Sequence, residues 1–388
     1  MLSTLAISNY RSIRSLVLPL TRLNLVTGPN GAGKSNLYRA LRLLSDTALG
    51  SATASIAGEG SLNSVLWAGP ERLSRAMKKG EQPVQGGPRQ NPVSVKLGFS
   101  DDAYNYAIDF GLPGPVPRTF FDGDPEIKRE VIWRAGSFHH SRIVMDRSGS
   151  LVKVRDDAGA WQVVHRHLPV FDSVLARASD PFSAPEAFQM RERILSWRFY
   201  DQFRTDRDAP SRMPQVGTRT PVLHHDGRDL PAAWQTILEI GDAPGLSQVL
   251  GDAFPGATVE IRREAGRFSL RFCQQGLLRP LEQQELSDGT LRYLCLAAAL
   301  MTPRPPSLMV LNEPETSLHP ELIPPLARLI QRASENTQLW VTSHCEPLID
   351  RLIADRDCNH LALKKMLGET QLDNSFTLDE PPWRWPGR

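Results

Sequence analysis

The spacing of apolar residues changes along the chain, and each spacing predicts a different kind of element. Residues 2–7 and 16–20 form two short apolar stretches, and residues 21–27 form a third, all typical of strands. After a glycine-rich stretch, apolar residues recur three, four and seven positions apart, which predicts a helix ending near Asp46. The face of that helix consists of Leu37, Ala40, Leu41 and Leu44. A strand, a glycine-rich turn and a helix therefore follow one another near the start of the chain.

The middle of the chain has a different pattern. Between residues 93 and 164, apolar residues alternate with polar ones in short runs separated by turn residues, which predicts an antiparallel sheet of hairpins. Residues 258–272 alternate in the same way and predict one more hairpin. Residues 47–92 are rich in glycine, serine, proline and charge, so loops with a short helix near residues 70–78 are expected there. Residues 172–203 and 229–250 are predicted to be helical.

The glycine-rich stretch, residues 28–35, fits the phosphate-binding pattern G-x-x-x-x-G-K-[ST] at every fixed position. Its glycines allow a tight turn with inward N–H groups, and the following helix adds its positive N-terminal end. We expect Lys34 to reach the β- and γ-phosphates and the Ser35 hydroxyl to bind Mg²⁺. The residues predicted to contact nucleotide here are Gly28, Pro29, Asn30, Gly31, Ala32, Gly33, Lys34, Ser35 and Asn36. A flexible glycine turn that happens to carry Lys-Ser is the alternative.

Two apolar runs in the second half of the chain lead directly into polar residues. Residues 308–311 predict a buried parallel strand that is followed by Asn312 and Glu313. A carboxylate there sits where open α/β sheets place ligands, so Glu313 is a candidate general base that orients water. Residues 339–343 predict another strand, and His344 at its end would donate a hydrogen bond to a γ-phosphate.

Residues 286–290, Leu-Ser-Asp-Gly-Thr, open a predicted helix. Ser287 and Gly289 at this helix N-terminus are suited to an anion. Taken alone, a Ser-x-Gly sequence is usually a helix cap, and a single histidine is usually structural. The order and spacing of all these motifs together are much more specific.

The amino-acid composition restricts the fold and the function only slightly. The 388 residues allow two or three domains, and 40% apolar with 23% charged residues is ordinary for a globular protein. A net charge of +2 argues neither for nor against nucleic acid as a partner. The four cysteines form no C-x-x-C pair, which fits a reducing cytosol. Without a signal-peptide core or a membrane-length apolar run, a cytoplasmic protein without a membrane partner is expected.

The motifs resemble those of the ABC-type ATPases of the RecF and SMC group. The chain most closely resembles short, stand-alone RecF-like ATPases that carry Glu-Pro-Glu-Thr-Ser-Leu-His-Pro, often named only AAA-family ATPases. The resemblance covers residues 2–45 and 284–353. It implies an α/β fold: an ABC-type P-loop ATPase head, in which a mixed sheet has flanking helices, with an inserted antiparallel β and helical region. The implied domains are residues 1–46 and 229–388 for the two halves of the head and 47–228 for the insert.

The resemblance also implies roles for individual residues. Glu313, His344 and Lys34 would be catalytic, with ATP and Mg²⁺ as cofactors. Arg11, in Asn-Tyr-Arg-Ser, would approach the phosphates from its own subunit, whereas Ser287 and Gly289 would close over a γ-phosphate held by the partner subunit. Ser35 and Asn312 would hold the metal, but Asn312 departs from the usual aspartate, and loss of that charge predicts weaker Mg²⁺ binding and slow turnover. Gln215 is one candidate for the Q-loop glutamine.

These roles lead to three alternative functions. The first is a slow ATPase that forms a homodimer on ATP and acts on double-stranded DNA in repair or genome maintenance. The second is an ATPase switch that controls a separate effector protein, as in defence systems. The third is a nucleotide-binding module with little turnover. Sustained heptads are missing between the two halves, so long SMC-type coiled-coil arms are not expected.

Overall fold

The computed structural model describes residues 1–71, 74–86, 92–114, 120–156, 158–373 and 381–388. The chain forms two compact units. The first unit comprises Met1–Thr21, Gly28–Trp197 and Leu361–Arg388, and the second unit comprises Arg22–Thr27 and Arg198–His360. The mixed α/β fold expected from the sequence is confirmed. The predicted domain boundaries at residues 46 and 228 stay a prediction.

The described residues form strands and α-helices with the following bounds. The strands are β1 Leu2–Tyr10, β2 Ile13–Pro19, β3 Leu23–Thr27, β4 Val95–Asp101, β5 Tyr104–Gly111, β6 Glu126–Arg134, β7 Ile143–Ser148, β8 Leu151–Arg155, β9 Trp161–His165, β10 Arg198–Tyr200, β11 Gln215–Val216, β12 Thr258–Glu264, β13 Arg267–Cys273, β14 Leu281–Glu282, β15 Leu308–Asn312, β16 Gln338–Thr342, β17 Cys358–Met366 and β18 Glu369–Leu372. The α-helices are α1 Lys34–Leu49, α2 Ala52–Gly58, α3 Leu62–Val65, α4 Arg75–Lys78, α5 Val174–Arg177, α6 Pro185–Leu195, α7 Leu230–Ile240, α8 Ala243–Ala253, α9 Asp288–Leu300, α10 Ile323–Ser334 and α11 Glu346–Ile353.

An antiparallel sheet of eight strands dominates the first unit. Its strand order is β2-β1-β4-β5-β6-β7-β8-β9, and the N-terminal hairpin joins it where Leu5 on β1 pairs with Phe99 on β4. The alternation that predicted these hairpins puts apolar side chains on one face. On β8, for example, Val152 and Val154 are buried, whereas Lys153 is exposed. The predicted antiparallel sheet is therefore confirmed.

Four strands of the second unit lie side by side and parallel in one sheet, in the order β10-β15-β16-β3. The strands β3, β15 and β16 are buried along their length except at half-buried Asn312. Such strands need continuous apolar runs because helices cover both faces of a parallel sheet. Since parallel strands end at the same edge, Thr27, Asn312 and Thr342 all lie at the carboxyl edge of this sheet.

The helices of the second unit enclose its core. In α9, every residue from 291 to 300 is buried, which is the pattern of a helix surrounded by protein. The segment predicted to be helical around Gly241 forms α7 and α8, with Gly241 ending α7. The predicted hairpin is also present as β12 and β13, with its tip at Ala265 and Gly266, both with positive φ.

Two predictions of secondary structure were partly wrong. The short helix predicted near residues 70–78 is present as α4, but residues 47–92 also contain the short helices α2 and α3 where loops were expected. Such short helices are stabilised by packing, here by buried Ala52 and Ile56 on α2, and leave little periodic signal. Residues 172–203 contain α5 and α6 but also the three-residue strand β10, which pairs with β15 and is too short to show a period. Among the described helices, none has the length and apolar content that crossing a bilayer requires.

Candidate functional site

The phosphate loop, residues 28–35, connects β3 to α1 through backbone conformations that favour glycine. The φ angles of Gly28, Gly31 and Gly33 are 142°, 80° and 114°, in the region where side chains are strained. A Cβ on Gly28 would also lie 2.5 Å from the carbonyl oxygen of Leu363. The glycine pattern of the motif therefore has a steric cause in this chain as well as a chemical one.

Lys34 begins α1 and folds back over the phosphate loop. Its Nζ donates hydrogen bonds to the carbonyl oxygens of Gly28, at 2.5 Å, and Pro29, at 3.1 Å, and the residue is buried. Neither carbonyl oxygen carries a full charge, and a bound phosphate would give this buried ammonium a charged acceptor. The loop also stands at the N-terminus of the 16-residue helix α1, whose dipole favours anions. These residues fit a bound nucleoside phosphate.

Arg11 lies in the first unit, in the turn between β1 and β2. Its backbone has a φ of 52°, and its N–H donates to the carbonyl oxygen of Val65 at 2.7 Å. Its guanidinium forms an ion pair with Glu59 and stands 5.9 Å from the centre of the Tyr10 ring. Arg11 therefore already has a carboxylate partner, and its predicted role at the phosphates stays a prediction.

In the second unit, Glu313 and His344 follow the neighbouring strands β15 and β16. The Glu313 N–H donates to the carbonyl oxygen of Thr342 at 2.8 Å, and the residue has a φ of 49°. His344 Nε2 lies 3.3 Å from Glu313 Oε1, and both side chains are more than a third exposed. The two predicted catalytic residues of this unit are therefore adjacent, and both remain open to solvent.

Glu315, for which the sequence motifs predicted no role, contacts the segment that carries His344. Its Oε1 accepts hydrogen bonds from Ser343 Oγ at 2.6 Å, from the His344 N–H at 3.0 Å and from the Cys345 N–H at 3.3 Å. One carboxylate thereby ties the turn after β15 to the segment that carries His344. The second glutamate of Glu-Pro-Glu was visible in the sequence, but no local pattern indicated its partners 28 to 30 residues away.

Arg292, on α9, also contacts this turn. Its Nη2 lies 3.5 Å from the carbonyl oxygen of Glu313, at the limit of a hydrogen bond. Burial lowers the pKa of Arg292, while the nearby carboxylates of Glu315 and Glu313 act in the opposite direction. A buried cation is therefore placed between the helix of the Leu-Ser-Asp-Gly-Thr motif and the turn that carries Glu313.

Ser287 and Gly289 begin α9, as expected. Ser287 is the N-cap, and its Oγ accepts a hydrogen bond from the Thr290 N–H at 3.2 Å. A Cβ on Gly289 would lie 3.2 Å from the carbonyl oxygen of Ser317, so only a small residue lets these two segments approach. Asp288, between Ser287 and Gly289, accepts a hydrogen bond from Arg212 Nη2 at 2.6 Å.

Two other predicted positions have simpler surroundings. Asn312 is half-buried at the end of β15, where it pairs with Thr342 in the ladder. Gln215 lies on β11, and its Nε2 donates to the carbonyl oxygen of Pro210 at 3.3 Å. The structure thus places Arg11 and Gly28 to Asn36 in the first unit, and Ser287, Gly289, Asn312, Glu313 and His344 in the second.

A family profile described as "AAA domain, putative AbiEii toxin, Type IV TA system" matches residues 23–350. The chain belongs to this AAA family. The match confirms the resemblance to P-loop ATPases of the AAA kind. The matched segment of the family includes the phosphate loop, Glu313 and His344, whereas Arg11 and the β17–β18 hairpin lie outside it. No curated protein matches this chain.

Solved SMC heads are similar to this AAA-family chain at low identity. An SMC head bound to the C-winged helix domain of ScpA is 13% identical, with 96% of this chain and 97% of that chain covered and a TM-score of 0.48. The SMC head domain from Thermotoga maritima is 15% identical, with 95% and 97% covered and a TM-score of 0.43. An SMC head with an extended coiled coil, bound to the C-terminal domain of ScpA and derived from Pyrococcus furiosus, is 11% identical, with 96% and 95% covered and a TM-score of 0.45.

Proposed function

We propose that this protein binds and hydrolyses ATP and that its ATP-bound form is a homodimer. The observation that carries the proposal is the phosphate loop: three glycines at positive φ, a buried lysine with carbonyl partners and a helix N-terminus. The family match includes this loop together with Glu313 and His344. A chance glycine turn would not combine these features.

In this proposal, the first unit binds the phosphates. The loop N–H groups and the α1 dipole bind the phosphate oxygens, and Lys34 exchanges its carbonyl partners for the β- and γ-phosphates. The exposed Ser35 hydroxyl is assigned to Mg²⁺. Bound Mg²⁺ supplies positive charge to the phosphates.

The second unit supplies the groups that act on water. Glu313 accepts a proton from water as general base, and its left-handed backbone and bond to Thr342 fix its direction. His344, next to Glu313, donates a hydrogen bond to developing negative charge. Glu315 restrains the His344 segment through its three hydrogen bonds.

The proposed dimer assigns a role to the exposed start of α9. Ser287 is exposed and Gly289 is half-buried, so both are accessible to a second copy of this chain. A γ-phosphate held by one subunit would meet the α9 N-terminus of the other. ATP would then shift the population towards dimers because only the dimer makes these contacts, and hydrolysis would reverse the shift.

The proposal is tested by steady-state hydrolysis of Mg-ATP with and without linear duplex DNA at low salt. Lys34→Ala should abolish ATP binding and leave no turnover, because it removes the only buried cation of the phosphate loop among the described residues. Lys153→Ala, an exposed lysine on β8, is the matched control and should behave like wild type. Stimulation by DNA would support action on DNA in repair or genome maintenance, since phosphate contacts are strongest at low salt. Equal turnover in wild type and Lys34→Ala would contradict the ATPase proposal.

Asn312→Asp provides a second test, directed at the metal. Restoring the carboxylate should lower the Mg²⁺ concentration for half-maximal turnover by about tenfold, because a charged oxygen binds Mg²⁺ more strongly than an amide oxygen does. Turnover at saturating Mg²⁺ should rise as well. A Mg²⁺ titration of ATP hydrolysis measures both quantities. If neither changes, Asn312 has no role at the metal and does not explain slow turnover.

The family description favours a second candidate function. It names a toxin of a toxin–antitoxin system, which fits an ATPase switch that controls a separate effector protein. Turnover that is indifferent to DNA, together with a protein that co-purifies only in the presence of ATP, would support this candidate. The two candidates share the same ATP chemistry and differ in what the dimer contacts.

A further inference from the structure

We propose that Thr370, on the C-terminal strand β18, is a positioning residue that holds the phosphate loop in its nucleotide-binding conformation. This inference rests on the proposed ATP binding but concerns a residue outside the family-matched segment. It makes the β17–β18 hairpin a part of the nucleotide site. All residues in the argument belong to the first unit.

Thr370 contacts the phosphate loop directly. The residue is fully buried, and its Oγ1 donates a hydrogen bond to the carbonyl oxygen of Ala32 at 2.7 Å. A Cβ added to Gly33 would lie 2.1 Å from the same Oγ1. The threonine therefore packs against the loop at the two residues immediately before Lys34.

The hydrogen bonds around Thr370 have only one possible direction. The Ala32 carbonyl can only accept, so the single hydroxyl proton of Thr370 is used there. Ser12 Oγ, 2.6 Å from Thr370 Oγ1, must then donate to Thr370. Ser12 Oγ in turn accepts from Asn36 Nδ2 at 2.7 Å. The chain of donors thus runs from Asn36 on α1 through Ser12 and Thr370 to the phosphate loop.

This chain of hydrogen bonds determines where a loop N–H points. In a planar trans peptide, the carbonyl of one residue and the N–H of the next point in opposite directions. Because the Ala32 carbonyl points to Thr370, the Gly33 N–H points away from Thr370. No group in the described ranges of the chain accepts a hydrogen bond from that N–H. Thr370 thereby leaves a backbone donor of the motif available to a phosphate oxygen.

The same hairpin also holds the turn that carries Arg11. The Thr370 N–H donates to the carbonyl oxygen of Ser12 at 2.8 Å, and Ser12 directly follows Arg11 in the chain. Arg14 Nε donates to Glu369 Oε1 at 3.1 Å, and Glu369 is buried. A single strand, β18, therefore contacts both segments of the first unit that are predicted to meet the phosphates.

The test compares Thr370→Val with Thr370→Ser in equilibrium binding of Mg-ADP and Mg-ATP, measured by calorimetry. Valine keeps the shape but leaves the Ala32 carbonyl buried without its donor, so the Kd should rise about tenfold. Serine keeps the hydroxyl, and its Kd should stay within about twofold of wild type. Thr236→Val is the matched control, because this buried threonine of the second unit also donates to a backbone carbonyl, that of Ala232 at 2.7 Å. Its nucleotide Kd should not change.

The outcomes separate the inference from the proposed function. Wild-type protein that binds neither nucleotide would contradict the proposed function. Wild-type binding that Thr370→Val leaves unchanged would overturn the positioning role of Thr370, and so would equal weakening by Thr370→Ser. If Thr370→Val does not fold, Thr370→Cys keeps a similar shape but donates only weakly to the Ala32 carbonyl, and it should raise the Kd several-fold. An unchanged Kd in Thr370→Cys would then overturn the inference.

Discussion

Glu313→Gln is expected to lower the kcat for ATP by about 100-fold or more, while the Kd for Mg-ATP stays close to that of wild type. Glutamine has the same shape but cannot accept a proton from water, and general-base catalysis contributes roughly 10²–10⁴-fold. The contact of residue 313 with His344, 3.3 Å in the wild type, needs only an acceptor oxygen, which glutamine provides. Single-turnover hydrolysis and calorimetric binding measure the two quantities separately.

The same variant also tests the dimer. If ATP drives association and hydrolysis reverses it, Glu313→Gln should accumulate as a dimer in saturating Mg-ATP, detected by light scattering after size exclusion. Glu335→Gln, at the exposed end of α10, is the matched control and should keep wild-type turnover. A Glu313→Gln protein that stays monomeric would contradict the two-subunit mechanism. Wild-type turnover in this variant would remove Glu313 from the role of general base.

The sequence predicts those parts of the candidate site whose residues lie close together along the chain. The phosphate loop combines a pattern of fixed spacing with a strand before it and a helix after it, and the structure contains all three elements. Glu313 and His344 were predicted from the apolar runs that precede them, since parallel strands place such ends at one edge of a sheet. Each of these signals lies within about ten residues, so one sequence was enough to read it.

The contacts that restrain these motifs could not be predicted. Thr370 lies 338 residues from Ala32, to which it donates its hydrogen bond, and no periodic pattern connects them. Glu315 stood beside a predicted catalytic residue, but its acceptor role depends on the turn that brings it to Ser343. Pairing between β1 and β4 is of the same kind, since either strand alone fits many partners. Such information lies in the tertiary packing of the folded chain.

A buried ionic network stabilises the first unit, and it leads to the second large prediction. Glu130 on β6 and Arg147 on β7 are both fully buried, with Arg147 Nη1 3.2 Å from Glu130 Oε2. Glu130 also accepts from the Tyr106 hydroxyl at 2.8 Å, Ser173 Oγ at 2.6 Å and the Val174 N–H at 2.9 Å. Burial raises the pKa of Tyr106 well above its usual range, so its hydroxyl remains a donor.

Arg147 makes four hydrogen bonds to acceptors in the described part of the chain. Besides Glu130, it donates to the carbonyl oxygens of Gly149 and Pro169, each at 2.8 Å, and to that of Asp172. The guanidinium thereby ties the turn between β7 and β8 to the segment that precedes α5. Buried charges are tolerated at such a site only because each one has partners of opposite charge or polarity.

Glu130→Ala is expected to lower the free energy of unfolding of the first unit by about 3–5 kcal/mol, since it leaves the Arg147 guanidinium buried without a counter-charge. Glu126→Ala, on the same strand, is the matched control. Its ion pair with Lys128 is about a quarter exposed, so its loss should cost no more than about 1 kcal/mol. Urea unfolding measures both changes.

The double variant Glu130→Ala with Arg147→Met should recover part of the lost free energy of unfolding, because no buried charge then remains unpaired. Equal destabilisation by Glu126→Ala and Glu130→Ala would contradict a special role for the network, and additive losses in the double variant would show that the two charges act independently.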